Sequence, residues 1–212
     1  EASGDDILLS STLASNANED ILFDAGAAGN ITVTGTTNVG TGDVTVRDAA
    51  VTLFTGKVTA DNYTQNDGTT STTFSTAFDI GTETTDAFDF TGQVLTLTGT
   101  GDNTVSGSMD VTNAGVFTTN DDVTLTVGTE FKQDGAGTNT IGGNITSSND
   151  GITFATAVTL DGTDGETITF QTGEASGDDI LLSSTLASNA NEDILFDAGA
   201  AGNITVTGTT NV

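Results

Sequence analysis

The side chains of this chain that could do chemistry are carboxylates, amides and hydroxyls: it holds 30 Asp and Glu, no His and no Cys. Two stretches, Asp161-Gly162-Thr163-Asp164-Gly165-Glu166 and Asn120-Asp121-Asp122, gather the carboxylate and carbonyl oxygens that calcium takes. Neither belongs to a tandem Gly-Gly-x-Gly-x-Asp nonapeptide or to an EF-hand loop, so both read as solvated turns. Weak binding of Ca2+ or another counterion is the most they offer; no metal ligand set and no cofactor is expected. Without imidazole or thiol there is no Ser-His-Asp triad, thiol nucleophile or Cys/His zinc site.

Glycoside hydrolysis needs only two carboxylates at a set separation, and 30 acids supply such pairs by chance. Substrate grooves for sugars are usually lined by aromatics, and here there are 11 Phe, one Tyr and no Trp. Most of the Phe residues fall at alternating positions that belong to a core, so no catalytic residue is expected and the chain is not read as an enzyme. Asn103 and Asn139 share an Asn-Thr-apolar context and suit a row of amides bonded from one layer to the next, the alternative being a sugar-binding row. Thr32-Val33-Thr34, Thr96-Leu97-Thr98, Thr124-Leu125-Thr126 and Thr167-Ile168-Thr169 raise ice binding. Their uneven spacing along the chain argues against one Thr-x-Thr per layer on one face. Asn-x-Thr sequons at Asn30, Asn62, Asn144 and Asn203 matter only in a host that glycosylates them.

Charge narrows the partners. Arg47, Lys57 and Lys132 are the whole basic inventory against those 30 acids, a net charge of -27, so no basic patch for nucleic acid can form. No segment reaches the ~18 consecutive apolar residues of a membrane span, and residues 1–30 lack a basic start followed by an apolar stretch. Apolar residues make up 34% of the chain, enough for a narrow core.

What must position these groups is set by repetition. Residues 1–39 recur without a substitution at 174–212, each position i returning at i + 173. The expected organisation is one full repeat over 1–173 and the start of the next over 174–212, cut from a longer tandem array and continuous, with no separate domain. Inside it, residues 92–116 align without gaps on 128–152 at an offset of 36. Gly99, Asn103, Thr104 and Gly107 fall on Gly135, Asn139, Thr140 and Gly143, and Leu95, Val105 and Met109 on Phe131, Ile141 and Ile145. A looser copy starts at Tyr63, where YTQNDGTTSTTFSTAF follows FKQDGAGTNTIGGNI with one residue inserted. Units this small cannot bury an apolar face alone and must stack.

Each unit reads as strand and turn. Residues 43–47, 50–54, 94–98, 123–127 and 167–170 alternate apolar residues with Thr or charge, the period of two of a strand with one face inward. Gly, Asn and Asp punctuate them as turns require, and no window carries a helical apolar stripe. Sandwich domains would repeat on a larger scale, and a propeller would have to close. The expected fold is therefore all-β, a right-handed parallel β-helix (β-solenoid). Taking the offset of 36 as roughly two coils gives about eight or nine coils per 173-residue repeat and a rise of roughly 40 Å.

At this level the chain resembles the filamentous-haemagglutinin-like giant repeat surface proteins and β-helical adhesins of bacteria. The likeness rests on 62–68 (NYTQNDG), 130–135 (EFKQDG) and the phrase 19–26 (EDILFDAG) leading to 29–35 (GNITVTG). It implies a cell-surface β-helical stalk, extracellular or surface location and no catalytic residue. Charge adds an independent expectation. One repeat carries 24 acids and 3 bases, net -21, about one charge per 2 Å of rise, near the ~1.7 Å per charge of duplex DNA. The functional expectation is a structural segment of a long extracellular fibre or cell-surface filament, its partners further copies of itself stacked end to end, with the stalk of a large adhesin as the alternative.

Overall fold

A computed structural model describes residues 4–15, 18–189 and 191–212. Among them every regular element is a strand and every strand pairing is parallel. The chain winds as a parallel β-solenoid of about nine turns, the expected fold class, because short Thr-rich alternating segments separated by Gly, Asn and Asp can bury one side only by stacking on their neighbours.

Three faces follow one another along each coil. Face 1 stacks 21–23, 44–46, Tyr63–Gln65, Ala87–Gly92, Ser108–Asn113, Phe131–Gln133, Ile152–Phe154, Ile180–Leu182 and Ile204–Val206. Face 2 stacks Ile7–Leu9, 31–33, 51–54, Ser71–Phe74, Leu95–Leu97, Phe117–Thr119, Asn139–Ile141, Val158–Leu160, Leu186–Ser188 and Thr210–Asn211. Face 3 runs from Leu13–Ala14 through Val58–Ala60, Gly101–Val105, Val123–Val127 and Thr167–Gln171 to Asp193–Asp197. Faces 1 and 2 merge into one sheet because Ile21–Val33 and Val44–Phe54 run as single strands around their shared corner.

The inward residues form one continuous core, including Val46, Leu97, Val127 and Ile145, all fully buried. Aromatic rings stack along it in two runs. Phe23, Phe54, Tyr63, Phe74, Phe78 and Phe88 lie with neighbouring centroids 4.7 to 6.3 Å apart, and Phe117, Phe131, Phe154, Phe170 and Phe196 with 5.2 to 5.9 Å. Such contacts add to burial, each contributing about 0.5–1.5 kcal/mol. Corners approach one another closely where coils stack: a Cβ on Gly137 would sit 1.5 Å from the Gly115 carbonyl oxygen.

Coil length varies. One coil carries the chain from Val44 to Tyr63, and another, nearly half as long again, from Ile152 to Ile180, so residue spacing does not count coils. From Ile31 to Ile204, one 173-residue period, the chain makes 23 strand-to-strand steps, which at three per coil is 7⅔ coils. At about 4.8 Å per stacked strand the period rises about 37 Å. The internal offset of 36, expected to be roughly two coils, spans five strand steps from Leu95 on face 2 to Phe131 on face 1, or 1⅔ coils. Loops at the corners account for the difference, since single coils there run from Ala87 to Ser108 and from Met109 to Phe131, each longer than half the offset.

Candidate functional site

The corner between faces 2 and 3 brings the two calcium-like stretches together. Asn120-Asp121-Asp122 turns with Asp122 at φ 59°, the left-handed region that Asp tolerates. Two coils further, beyond the small corner at Gly142 and Gly143, 161–166 forms the equivalent longer turn, and the Thr163 hydroxyl donates to Asp121 Oδ2 at 2.7 Å. Asp121 and Asp161 line a shallow polar groove of about 340 Å³ with Thr98, Thr118 and Asn120. Both carboxylates are already engaged, Asp161 Oδ1 accepting from Asn189 Nδ2 at 3.0 Å. No cluster of three or more Asp or Glu suited to a metal forms among the described residues. The groove can hold water and loosely held cations.

A second polar constellation is buried where faces 1 and 2 meet. Gln133 and Asn139 are fully enclosed. Gln133 Nε2 donates to Asn113 Oδ1 at 2.7 Å and to the Gly135 carbonyl at 2.9 Å, and Gln133 Oε1 accepts from Asn139 Nδ2 at 3.2 Å and Thr156 Oγ1 at 3.1 Å. Three coils earlier Gln65 takes the place of Gln133, its Oε1 accepting from Tyr63 Oη at 2.8 Å and Thr72 Oγ1 at 2.9 Å. Burial pushes the Tyr63 phenol well above its ordinary value. Gln133 ties its coil to those on either side through Asn113 and Thr156, whereas the bonds of Gln65 stay within its own coil, and both amides are buried.

Asn103 and Asn139 do not form a row with each other, contrary to the expectation of an amide ladder. Asn103 lies on face 3 and Asn139 on face 2, since the offset between them is not a whole number of coils. Their partners differ: Asn139 Nδ2 donates to Gln133 Oε1, the Thr156 hydroxyl and the Ala157 carbonyl, while its buried Oδ1 accepts from none of the described residues. Asn103 Oδ1 accepts from the Phe78 N–H at 3.3 Å, and its Nδ2 reaches the Thr124 carbonyl of the next coil at 3.3 Å.

The threonines give the opposite result. The four Thr-x-Thr motifs split between faces 2 and 3, yet single outward threonines do line up: Thr73, Thr96, Thr118, Thr140 and Thr159 occupy one register position on face 2 in five consecutive coils. Sequence spacing hid this rank because the coils that carry it differ in length, and alternation within each strand was the signal that could have found it.

The remaining surface is anionic. All three basic side chains are spent on exposed ion pairs, Arg47 with Asp24, Lys57 with Asp79 at 3.3 Å and Lys132 with Asp134 at 2.7 Å. On face 1, Asp89, Asp110 and Lys132 stack at one register position. Partial burial and the facing Asp110 raise the Asp89 carboxyl above its ordinary value, while burial and Asp150 raise Glu130. Hydrogen bonds from Lys132 and Thr112 hold Asp134 below its own. Buried acids close turns: Asp86 Oδ2 accepts from the N–H groups of Thr82 and Glu83 at 2.8 and 2.7 Å. No helix of the described residues is long and apolar enough to cross a membrane. No known family model, no curated protein and no solved structure matches the chain.

Proposed function

We propose that this chain is a structural repeat segment of a long extracellular fibre or cell-surface filament, built by end-to-end stacking of β-helical repeats. One observation carries the reading. The stretch that occurs twice, 1–39 and 174–212, is covered on opposite sides in its two positions: strands 44–54 pad the first copy, and strands 152–171 pad the second. Ile31, Val33 and Val39 are buried in the first copy. Ile180, Leu182 and Leu186 are buried in the second, where the matching Ile7, Leu9 and Leu13 of the first are only partly covered. The segment therefore has two complementary interfaces, both supplied by the same 173-residue unit, which is what unlimited continuation requires.

Length and stiffness then follow from repetition, since each coil pairs its backbone with the coils on either side. The net charge of -27 keeps such rods apart in dilute salt and surrounds them with counterions. A stalk that holds an adhesin's binding tip away from a cell would use the same rod, as the resemblance to filamentous-haemagglutinin-like proteins suggests. Cryo-electron microscopy of the native material tests the reading. A meridional layer line near 4.8 Å and an axial rise of about 37 Å are expected; separate globules without that spacing would overturn it.

A further inference from the structure

We infer that the repeat is out of step with the coil by one strand, so that in a tandem array each successive repeat presents its surface one face, a third of a turn, round from the last. The array itself rests on the fibre reading above; the register does not. The first copy sets 7–9 on face 2, 13–14 on face 3 and 21–23 on face 1. The identical residues of the second copy, 180–182, 186–188 and 194–196, lie on faces 1, 2 and 3.

The segment nevertheless keeps its internal contacts as it moves. Asp6 Oδ1 accepts from Asn30 N and Nδ2 at 2.8 and 3.0 Å, and Asp179 Oδ1 from Asn203 N and Nδ2 at 2.7 and 2.9 Å. Leu9 pairs with Val33 on face 2, and Leu182 with Val206 on face 1. The internal 36-residue repeat shows the same displacement independently. Its five strand steps, like the 23 of the long period, fall one short of a whole number of coils. The interchangeable unit of this sequence is the strand with its turn, each recurring strand lying on one face in the first copy and on a neighbouring face in the second.

The consequence is an interaction surface that winds. The uncharged rank Thr73, Thr96, Thr118, Thr140 and Thr159 occupies face 2 of one repeat; an array carries it to a neighbouring face in the next and restores it only after three repeats, 23 coils, or about 110 Å. A partner that reads a patch on one repeat meets it on all three sides of the fibre. Further fibres of the same chain, packing laterally, would find no unique side.

The chain has no cysteine, so paired cysteines can be spin-labelled cleanly. The displaced register puts Leu195 beside Thr169 and Leu181 beside Thr153. A register of whole coils would repeat the faces of Leu22 and Leu8 and would put Leu195 in the column of Thr153 and Leu181 in that of Thr159. Nitroxide pairs Thr169→Cys/Leu195→Cys and Thr153→Cys/Leu181→Cys in the 212-residue chain should give strong dipolar broadening. Thr153→Cys/Leu195→Cys and Thr159→Cys/Leu181→Cys should give far less. The reverse pattern, or no broadening in the first two pairs, would overturn the inference. Broadening as expected in a chain whose native material shows no fibre spacing would sink the fibre reading alone.

Discussion

Ile31 is fully buried and Ile204, the same residue of the recurring sequence, is 49% exposed. Their own contacts are alike, since Ile7 lies beside Ile31 as Ile180 lies beside Ile204. The difference is Thr52 and its neighbours, which cover Ile31 on the other side and have no counterpart over Ile204 in this chain. Ile31→Asp should therefore lower unfolding stability by several kcal/mol through an unpaired buried charge, and Ile204→Asp by about 1 kcal/mol or less. Equilibrium urea unfolding of both variants checks this; equal losses would contradict it.

Gln133 is the hub of the corner network. Gln133→Ala leaves Asn113 Oδ1 without its donor in an enclosed site, while Asn139 Nδ2 keeps the Thr156 hydroxyl and the Ala157 carbonyl, and a loss of about 2–4 kcal/mol is expected. The double variant Gln133→Leu with Asn113→Leu should recover part of that loss, because both ends of a bond are then removed together. Failure of Gln133→Ala to shift the unfolding midpoint would show the network to be dispensable.

Acid should first stabilise the fold. Asp89 and Glu130 have raised carboxyl values in the folded chain, so folding costs least when they are protonated. Their contribution to stability rises as pH falls through those raised values and levels off below the ordinary 3.8 and 4.5. Asp134 works the other way: its stabilisation is present above 3.8 and is lost as pH falls through its lowered value. Melting temperature should therefore climb from neutral pH into mild acid and drop again in strong acid. Asp89→Asn should melt higher than the parent at neutral pH and gain less on acidification; an unchanged profile would contradict the assignment.

Salt should act through screening. Raising monovalent salt from about 10 mM to about 500 mM shortens the Debye length from about 30 Å to under 5 Å and should raise the melting temperature of a chain of net charge -27. Calcium at equal ionic strength should give a similar rise, and a chelator none beyond its own ionic strength, because Asp121 and Asp161 are held by Thr163 and Asn189 rather than aimed at one point. A sharp calcium-specific shift in a calorimetric scan would contradict this.

The fold was legible because strand alternation is local. Val123-Thr124-Leu125-Thr126-Val127 says which side chains face inward without reference to any other strand, and all three apolar members are buried. The turn likeness between Tyr63-x-Gln65 and Phe131-x-Gln133 also marks real equivalence, since both lie on face 1 and both glutamines accept from face 2. What the sequence hid is the relation between coils. Thr140 to Thr159 makes one coil and Thr159 to Ala187 makes the next, although the second is nearly half as long again. The threonine rank and the separation of Asn103 from Asn139 therefore cannot be read by counting along the chain. The corner groove was half visible: both acidic turns stand out in composition, but their meeting depends on stacking alone.

Continuity is the central claim, and solution X-ray scattering tests it most directly. The 212-residue chain is compared with one lengthened by a single 173-residue period. An uninterrupted solenoid predicts a maximum dimension about 37 Å greater with an unchanged cross-sectional radius of gyration. A thicker cross-section, or two compact bodies joined flexibly, would contradict it.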